Sequence, residues 1–209
     1  MKHIVILANG QFPSSRVVRD ILNNADVIIC CDEATEKLIK FGIVPTFIAG
    51  DMDSLSPEIQ KKYRSLIFKS ECQETNDLTK AFNLAKTLSP SEIDILGATG
   101  GREDHTLGNI SLLLDYAKSV ACPVKMVTDY GKFIAIHDTA TLSCPVGRQI
   151  SIFAFDNSLK IKSAGLKYPT DNVIFDSLWK ASLNETSQES FTLTLSHPCG
   201  VLLFFANRK

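Results

Sequence analysis

The sequence predicts an α/β protein with a parallel-sheet N-terminal domain over residues 1–135 and a smaller antiparallel β-sandwich domain over 136–209. Three observations carry this. Short runs rich in Val and Ile alternate with longer segments of helical period through the first 130 residues, as in a Rossmann-like sheet with helices packed on it. Beyond about residue 132 the period changes to strict alternation, as in Ile150-Ser151-Ile152 and Phe191-Thr192-Leu193-Thr194-Leu195. Pro145, Gly147, Gly165 and Pro169 punctuate that second part as turns would.

In chain order, the strands are expected over 3–9, 27–32, 46–50, 93–97 and 124–129. Between them Val17, Ile21, Leu22 and Ala25 recur at helical spacing. So do Leu78, Ala81, Phe82 and Ala85, and then Leu107, Ile110, Leu114 and Ala117. Each set predicts a helix with one apolar face. The junction between the domains falls near residues 131–143 on the change of period alone.

With 22 basic and 23 acidic residues the formal net charge is −1, which gives no global field to hold nucleic acid or an anionic membrane. Any phosphate-bearing partner must be gripped locally. The six cysteines contain no Cys-x-x-Cys pair and no His-rich stretch to complete a zinc site, so most read as small buried hydrophobes. The run Ile4-Val5-Ile6-Leu7 has the length of a strand and is too short for a signal core or a membrane span, so a reduced, cytoplasmic protein is expected.

Ligands of open parallel sheets bind at the carboxyl ends of the strands, so the loops there should collect the chemistry. Asp32 ends the second strand, and Gly50-Asp51-Met52-Asp53-Ser54 follows the third. In extended backbone Asp51 and Asp53 would project from one side and could share a hard cation, although such spacing alone is more often a solvated turn. Asn76 and Asp77 stand where a helix begins, which suits a cap. Asp77 and Lys80, three apart, could place an acid for metal beside a cation for phosphate.

After the strand over 93–97, Gly97, Gly100 and Gly101 would let backbone amides approach an anion at a helix N-terminus, with Arg102 as a phosphate fork. An ordinary strand-to-helix turn explains the same glycines. His105 is a binding residue at most. No P-loop is present, and no Gly-x-Ser-x-Gly elbow or His triad supports a nucleophilic hydrolase.

Three of these segments, in this order, resemble the thiamine pyrophosphokinase family. Gly50-Asp51-Met52-Asp53-Ser54 is similar to its Gly-Asp-x-Asp-Ser, and Gln73 through Lys80 to its Gln-x-x-Thr-Asp-x-x-Lys. Gly100-Gly101-Arg102-Glu103-Asp104 is similar to its Gly-Gly-Arg-x-Asp. Gly165-Leu166-Lys167, Ser182-Leu183-Asn184-Glu185 and His197-Pro198 look like C-terminal segments of the same family. The chain departs from the pattern at Asp32-Glu33-Ala34-Thr35, where the family has Asp-Gly-Gly-Ala, at Asn76 for Thr, and at Leu183, which interrupts Ser-Asn-Glu.

The resemblance implies Mg²⁺-dependent transfer of pyrophosphate from ATP to thiamine, giving thiamine diphosphate and AMP, in a homodimer with active sites at the subunit interface. It implies Mg²⁺ on Asp51, Asp53 and Asp77, with Gln73 and Asp104 lining the substrate cleft. Asp32, Asn76, Lys80, Gly100, Gly101, Arg102 and His105 would serve ATP or substrate binding, and Ser182 and Asn184 the thiamine side. Asp104 is the candidate general base, with binding as its other role. Trp179, the only tryptophan, would either stack on the cationic ring of thiamine or fill the sandwich core. The rival readings are a Mg²⁺-dependent phosphohydrolase acting on a nucleotide or sugar phosphate, and a non-catalytic binding module. Asn9-Gly10 after the first strand, in place of a nucleophilic Asp-x-Asp, weighs against the dehalogenase form of the first.

Overall fold

The computed structural model describes residues 1–70 and 74–207. The chain divides into two compact units, Met1–Leu112 with Val120–Asp129, and Leu113–Ser119 with Tyr130–Lys209.

The first unit holds six parallel strands: β1 (Lys2–Leu7), β2 (Val27–Cys31), β3 (Phe47–Gly50), β4 (Ile67–Lys69), β5 (Pro90–Leu96) and β6 (Val124–Thr128). They lie in the order β6-β5-β1-β2-β3-β4. The central strand β1 pairs with β2 from Ile4↔Val27 to Leu7↔Cys30 and with β5 as far as Leu7↔Leu96. Strands covered on both faces need apolar side chains on both, and all five residues of β2 are buried.

The helices α1 (Arg16–Asn23), α2 (Ala34–Phe41), α3 (Pro57–Lys62), α4 (Asp77–Thr87) and α5 (Glu103–Ser119) follow in chain order. One core gathers Val18 and Leu22 of α1 with Leu38 of α2 and with Val5, Leu7, Cys30 and Leu96 of the sheet. Fully burying such a side chain stabilises the fold by about 1.5–3 kcal/mol. α4 packs on β2 and β3 and buries Leu78, Ala81, Phe82 and Ala85, the face expected from the sequence.

Two other helices each turn one residue of the expected face outward. In α1 Val18 and Leu22 are buried while Val17 is 68% exposed, and in α5 Leu113 and Tyr116 are buried while Leu107 is 67% exposed. Both helices carry adjacent apolar residues, Val17-Val18 and Leu112-Leu113-Leu114, so the apolar period leaves the face undetermined by one residue.

The second unit is antiparallel. β7 (Gly131–Ile136), β13 (Val201–Ala206), β9 (Gln149–Ala154) and the short β11 (Asn184–Glu185) are neighbours in that order. β10 (Ile161–Ala164), β12 (Ser190–Leu195) and β8 (Ala140–Ser143) form a separate three-stranded sheet. Ile150, Ile152, Leu203 and Phe205 from the former meet Ile161, Phe191 and Leu193 from the latter in one core. This is a sandwich of alternating inward residues.

Candidate active site

Because the strands of the first unit are parallel, the loops leaving β1, β2, β3 and β5 gather at one edge of the sheet. There they enclose a cleft of about 450 Å³, lined among others by Asn9, Asp32, Glu33, Asn76, Asp77 and His105. Asp104 and Asn109 of α5 also reach it.

The chemistry converges on three carboxylates. Oxygens of Asp32, Asp51 and Asp77 all lie within 4.8 Å of one another. The pairing of β2 with β3, Cys31↔Ala49, sets Asp32 beside the Gly50-Asp51 turn. The approach is so close that a Cβ at Gly50 would stand 2.8 Å from Asp32 Oδ1, so only glycine fits. Asp32 is 3% exposed, and neither of its oxygens receives a hydrogen bond of good geometry. Burial raises its pKa to about 6, with Asp77 and Asp51 adding like-charge repulsion and the amides of Ser54 and Met52 opposing.

Lys80 supplies the balancing cation. Its Nζ donates to Asp77 Oδ1 at 2.9 Å and to Asp51 Oδ2 at 3.1 Å, with the lysine side chain only 3% exposed. Burial works against the ammonium, but Asp77 and Asp51 outweigh it, so its pKa is raised. The Lys80 hydrogen bond in turn holds Asp51 below the ordinary carboxylate range. Asn76 caps α4, its Oδ1 accepting from Thr79 N at 2.9 Å, and so fixes where Asp77 and Lys80 start their turn.

Asp53 lies apart from this cluster. Met52 adopts φ 73°, a left-handed conformation that breaks the extended geometry on which a shared side with Asp51 depends. Asp53 is exposed, and its amide donates to Asp51 Oδ1 at 3.3 Å. Gln73 lies outside the described residues.

The glycine loop after β5 docks on the loop after β1. Gly10 N donates to Gly97 O, Gln11 N donates to Thr99 O, and a Cβ on Gly100 (φ 74°) would meet the Gln11 side chain at 2.7 Å. Close approach at Gly100 is thus to protein, while Gly101 faces Gly10 at 3.5 Å. Arg102 is exposed and forks onto Asp104, Nη2 to Oδ2 at 2.5 Å and Nε to Oδ1 at 3.1 Å. That contact, with the His105 amide, pulls Asp104 down to about 2, which suits an anionic binding group and makes it a weak base at neutral pH.

Asn9 and Glu33 are cleft residues that motif spacing does not single out. Asn9 Nδ2 donates to Glu33 Oε2, and Lys37 Nζ donates to the carbonyls of Asn9 and Gly10 at 3.0 Å each. The signal for Glu33 in the sequence is its place where the resembled pattern has glycine. Cys31 also lines the cleft, and burial pushes its thiol far up, so it is no nucleophile.

In the second unit a cleft of about 200 Å³ is lined by Tyr168, Thr170, Lys180, Ser182 and Asn184. Asn184 is buried and fully engaged, accepting from the amides of Tyr168 and Glu185 and donating to Tyr168 O at 2.7 Å. Ser182 Oγ donates to Trp179 O at 2.6 Å. Trp179 is 71% exposed, which removes the core role expected as its alternative.

An α/β unit that gathers three carboxylates and a buried lysine at the carboxyl edge of a parallel sheet has the kind of site used by enzymes that act on phosphate esters and anhydrides. The comparisons with known proteins make this specific. Residues 18–126 match the family model for the thiamin pyrophosphokinase catalytic domain, and residues 131–204 match that for its substrate-binding domain. Thiamine pyrophosphokinase of Bacillus subtilis is 31% identical over 185 residues, covering 82% of this chain and 83% of the relative. Thiamin pyrophosphokinase 1 of Caenorhabditis elegans is 26% identical over 206 residues, covering 90% and 84% respectively. The crystal structure of the Bacillus subtilis protein superposes with a TM-score of 0.79 at 25% identity over the whole of both chains. The chain belongs to the thiamine pyrophosphokinase family and is a diphosphotransferase enzyme.

Proposed function

We propose that the chain transfers the pyrophosphoryl group of ATP to thiamine, and that the Asp32, Asp51, Asp77 and Lys80 cluster is where the phosphates are held. The observation that carries this is the convergence itself: three oxygen-only ligands within 4.8 Å, one of them buried with neither oxygen receiving a hydrogen bond of good geometry. Such a donor set fits a hard divalent cation such as Mg²⁺, which would neutralise phosphate charge there. Asp51 and Asp77 would hold it, with the buried Asp32 beside them. Asp53, exposed beside Asp51 and outside that cluster, would be a further ligand for a cation bound with ATP.

The chain's own groups do the positioning. Lys80, which bridges Asp51 and Asp77, would offset the growing charge of the transition state as the hydroxyl oxygen of thiamine bonds to the β-phosphorus and AMP departs. The hydroxyl proton passes to solvent or to a cleft carboxylate. Gly100, Gly101, Arg102, Asp104, His105 and Asn76 would form the binding rim for ATP and substrate.

On the thiamine side, Ser182, Asn184 and the exposed Trp179 act within a homodimer. Ile174, Leu178, Trp179 and Leu183 are 65%, 44%, 71% and 67% exposed on one segment, an apolar surface of the kind a second subunit covers. The protein works in the cytoplasm, and among the described residues no helix is long and apolar enough to cross a membrane. Incubation with ATP, Mg²⁺ and thiamine, followed by chromatography, should yield thiamine diphosphate and AMP in equal amounts. ADP or free phosphate released in step with thiamine consumption would overturn the reading.

A further inference from the structure

The second unit contains a ligand cluster that this reaction does not use. Asp156, two residues beyond the end of β9, meets His197 and Cys199 of the loop between β12 and β13. One ligand atom from each lies within 4.8 Å of the other two, and all three residues are half-buried, open enough for an ion to enter. The sequence shows no zinc spacing because the carboxylate comes from 41 residues away.

The surroundings hold each ligand in a usable orientation. Asp156 Oδ1 accepts from Ser158 N at 2.8 Å and from Ser158 Oγ at 2.7 Å, which leaves Oδ2 turned to His197. His197 Nε2 lies 3.1 Å from that oxygen, and its Nδ1 lies 3.0 Å from Ser196 Oγ. Ser196 is itself fixed by the Lys160 amide at 3.0 Å. Cys199 is anchored by its amide on His137 O, and its thiol makes only a long contact of 3.8 Å to Gly200 O.

A Cys-His-Asp nucleophile site would need one ring nitrogen on the acid and the other on the thiol. Here Nε2 serves Asp156 and Nδ1 serves Ser196, so that reading does not fit. Metal ligation needs the opposite arrangement: one nitrogen toward the other ligands, the second oriented by an outer partner. On a tetrahedral Zn²⁺ a nitrogen and an oxygen ligand stand about 3.3 Å apart, and a nitrogen and a sulfur about 3.6 Å. Separations of 3.1 Å and at most 4.8 Å reach those values with side-chain shifts of about 1 Å.

We propose that Asp156, His197 and Cys199 form a site for a borderline divalent transition metal, Zn²⁺ in the first place, with water as fourth ligand. The mixed N, O and S donor set selects against Mg²⁺, so the site is chemically distinct from the all-carboxylate cluster of the first unit. Binding releases the Cys199 thiol proton to solvent. The imidazole stays neutral, its proton on Nδ1 toward Ser196 Oγ and its Nε2 lone pair on the metal. The ion clips the chain leaving β9 to the β12–β13 loop and stabilises the second unit.

Co²⁺ added to the full-length metal-free protein tests this. The expected result is a thiolate-to-cobalt charge-transfer band that Zn²⁺ abolishes by displacement. The band disappears in Cys199→Ser and persists in Cys31→Ser, the cleft cysteine that serves as control. Competition against a chromophoric chelator should show Zn²⁺ binding weakened at least tenfold in His197→Gln and in Asp156→Asn. Melts without metal establish that the variants fold, and the rise in melting temperature that Zn²⁺ gives the wild type should vanish in Cys199→Ser. Absence of the band, or its survival in Cys199→Ser, would overturn the proposal, whatever the fate of pyrophosphoryl transfer.

Discussion

Asp51, Asp77 and Lys80 form a charge arrangement whose members depend on one another, since Lys80 is 4% exposed and both its partners are only partly covered. A buried ammonium tolerates its surroundings only while the carboxylates remain. Asp51→Asn and Asp77→Asn should each lower kcat by roughly 10²-fold, as expected if each ligand contributes about 3 kcal/mol in the transition state. Asp32→Asn should do the same, and a double mutant should fall far short of the product of the single effects, because the ligands act as one unit. Steady-state thiamine diphosphate formation at saturating ATP measures this, and wild-type turnover in all three variants would refute the site. Asp51, Asp77 and Lys80 were legible as candidates from spacing and resemblance. That Asp32 joins them follows from the β2–β3 register, which brings residues about 20 positions apart side by side. That Asp53 lies outside follows from one positive φ at Met52, a torsion that a methionine does not announce in a sequence.

At the scale of elements, apolar period located β1, β2, β3, β5, β6 and three helices, because long segments with a buried stripe leave a strong pattern. β4 did not show itself: it is three residues long and Phe68 and Lys69 are exposed. α3 buries no residue at all, so it carries no stripe to read. α4 is the element whose sequence and structure agree at every level, from its Asn76 cap to its buried face. That agreement makes it the place to test what positions the site. Asn76→Ala should lower the stability of the fold by about 1 kcal/mol, read as a lower urea midpoint, because the amide of Thr79 loses its acceptor. Asn76→Asp, which keeps an acceptor at the cap, should restore the midpoint. Equal midpoints for the alanine variant and the wild type would show that the cap does not hold α4.

For the whole molecule, the two-part architecture was visible in the change from helical to alternating period, whereas the pairing of distant groups inside the sheet was not. Asp94 in β5 and His3 in β1 illustrate this, being 91 positions apart and joined by a 3.0 Å contact between Nε2 and Oδ2. Asp94 is 4% exposed, and its Oδ1 has no hydrogen-bond partner. Burial raises its pKa, and the His3 hydrogen bond and the Lys125 charge recover only part of the loss, with Glu92 adding to it. A carboxyl whose native pKa is raised binds its proton more tightly in the folded state than in the unfolded chain. Its stabilising effect is therefore complete below the unfolded value and is lost as pH rises through the native one. Asp94→Asn removes this titration while keeping shape and an acceptor for His3. The difference in unfolding free energy between Asp94→Asn and wild type should thus move in favour of the variant as pH rises from about 4 to about 8. The test is a series of urea unfolding curves across that interval. A difference that stayed constant, or moved toward the wild type, would mean that Asp94 keeps its charge at no cost in the centre of the sheet.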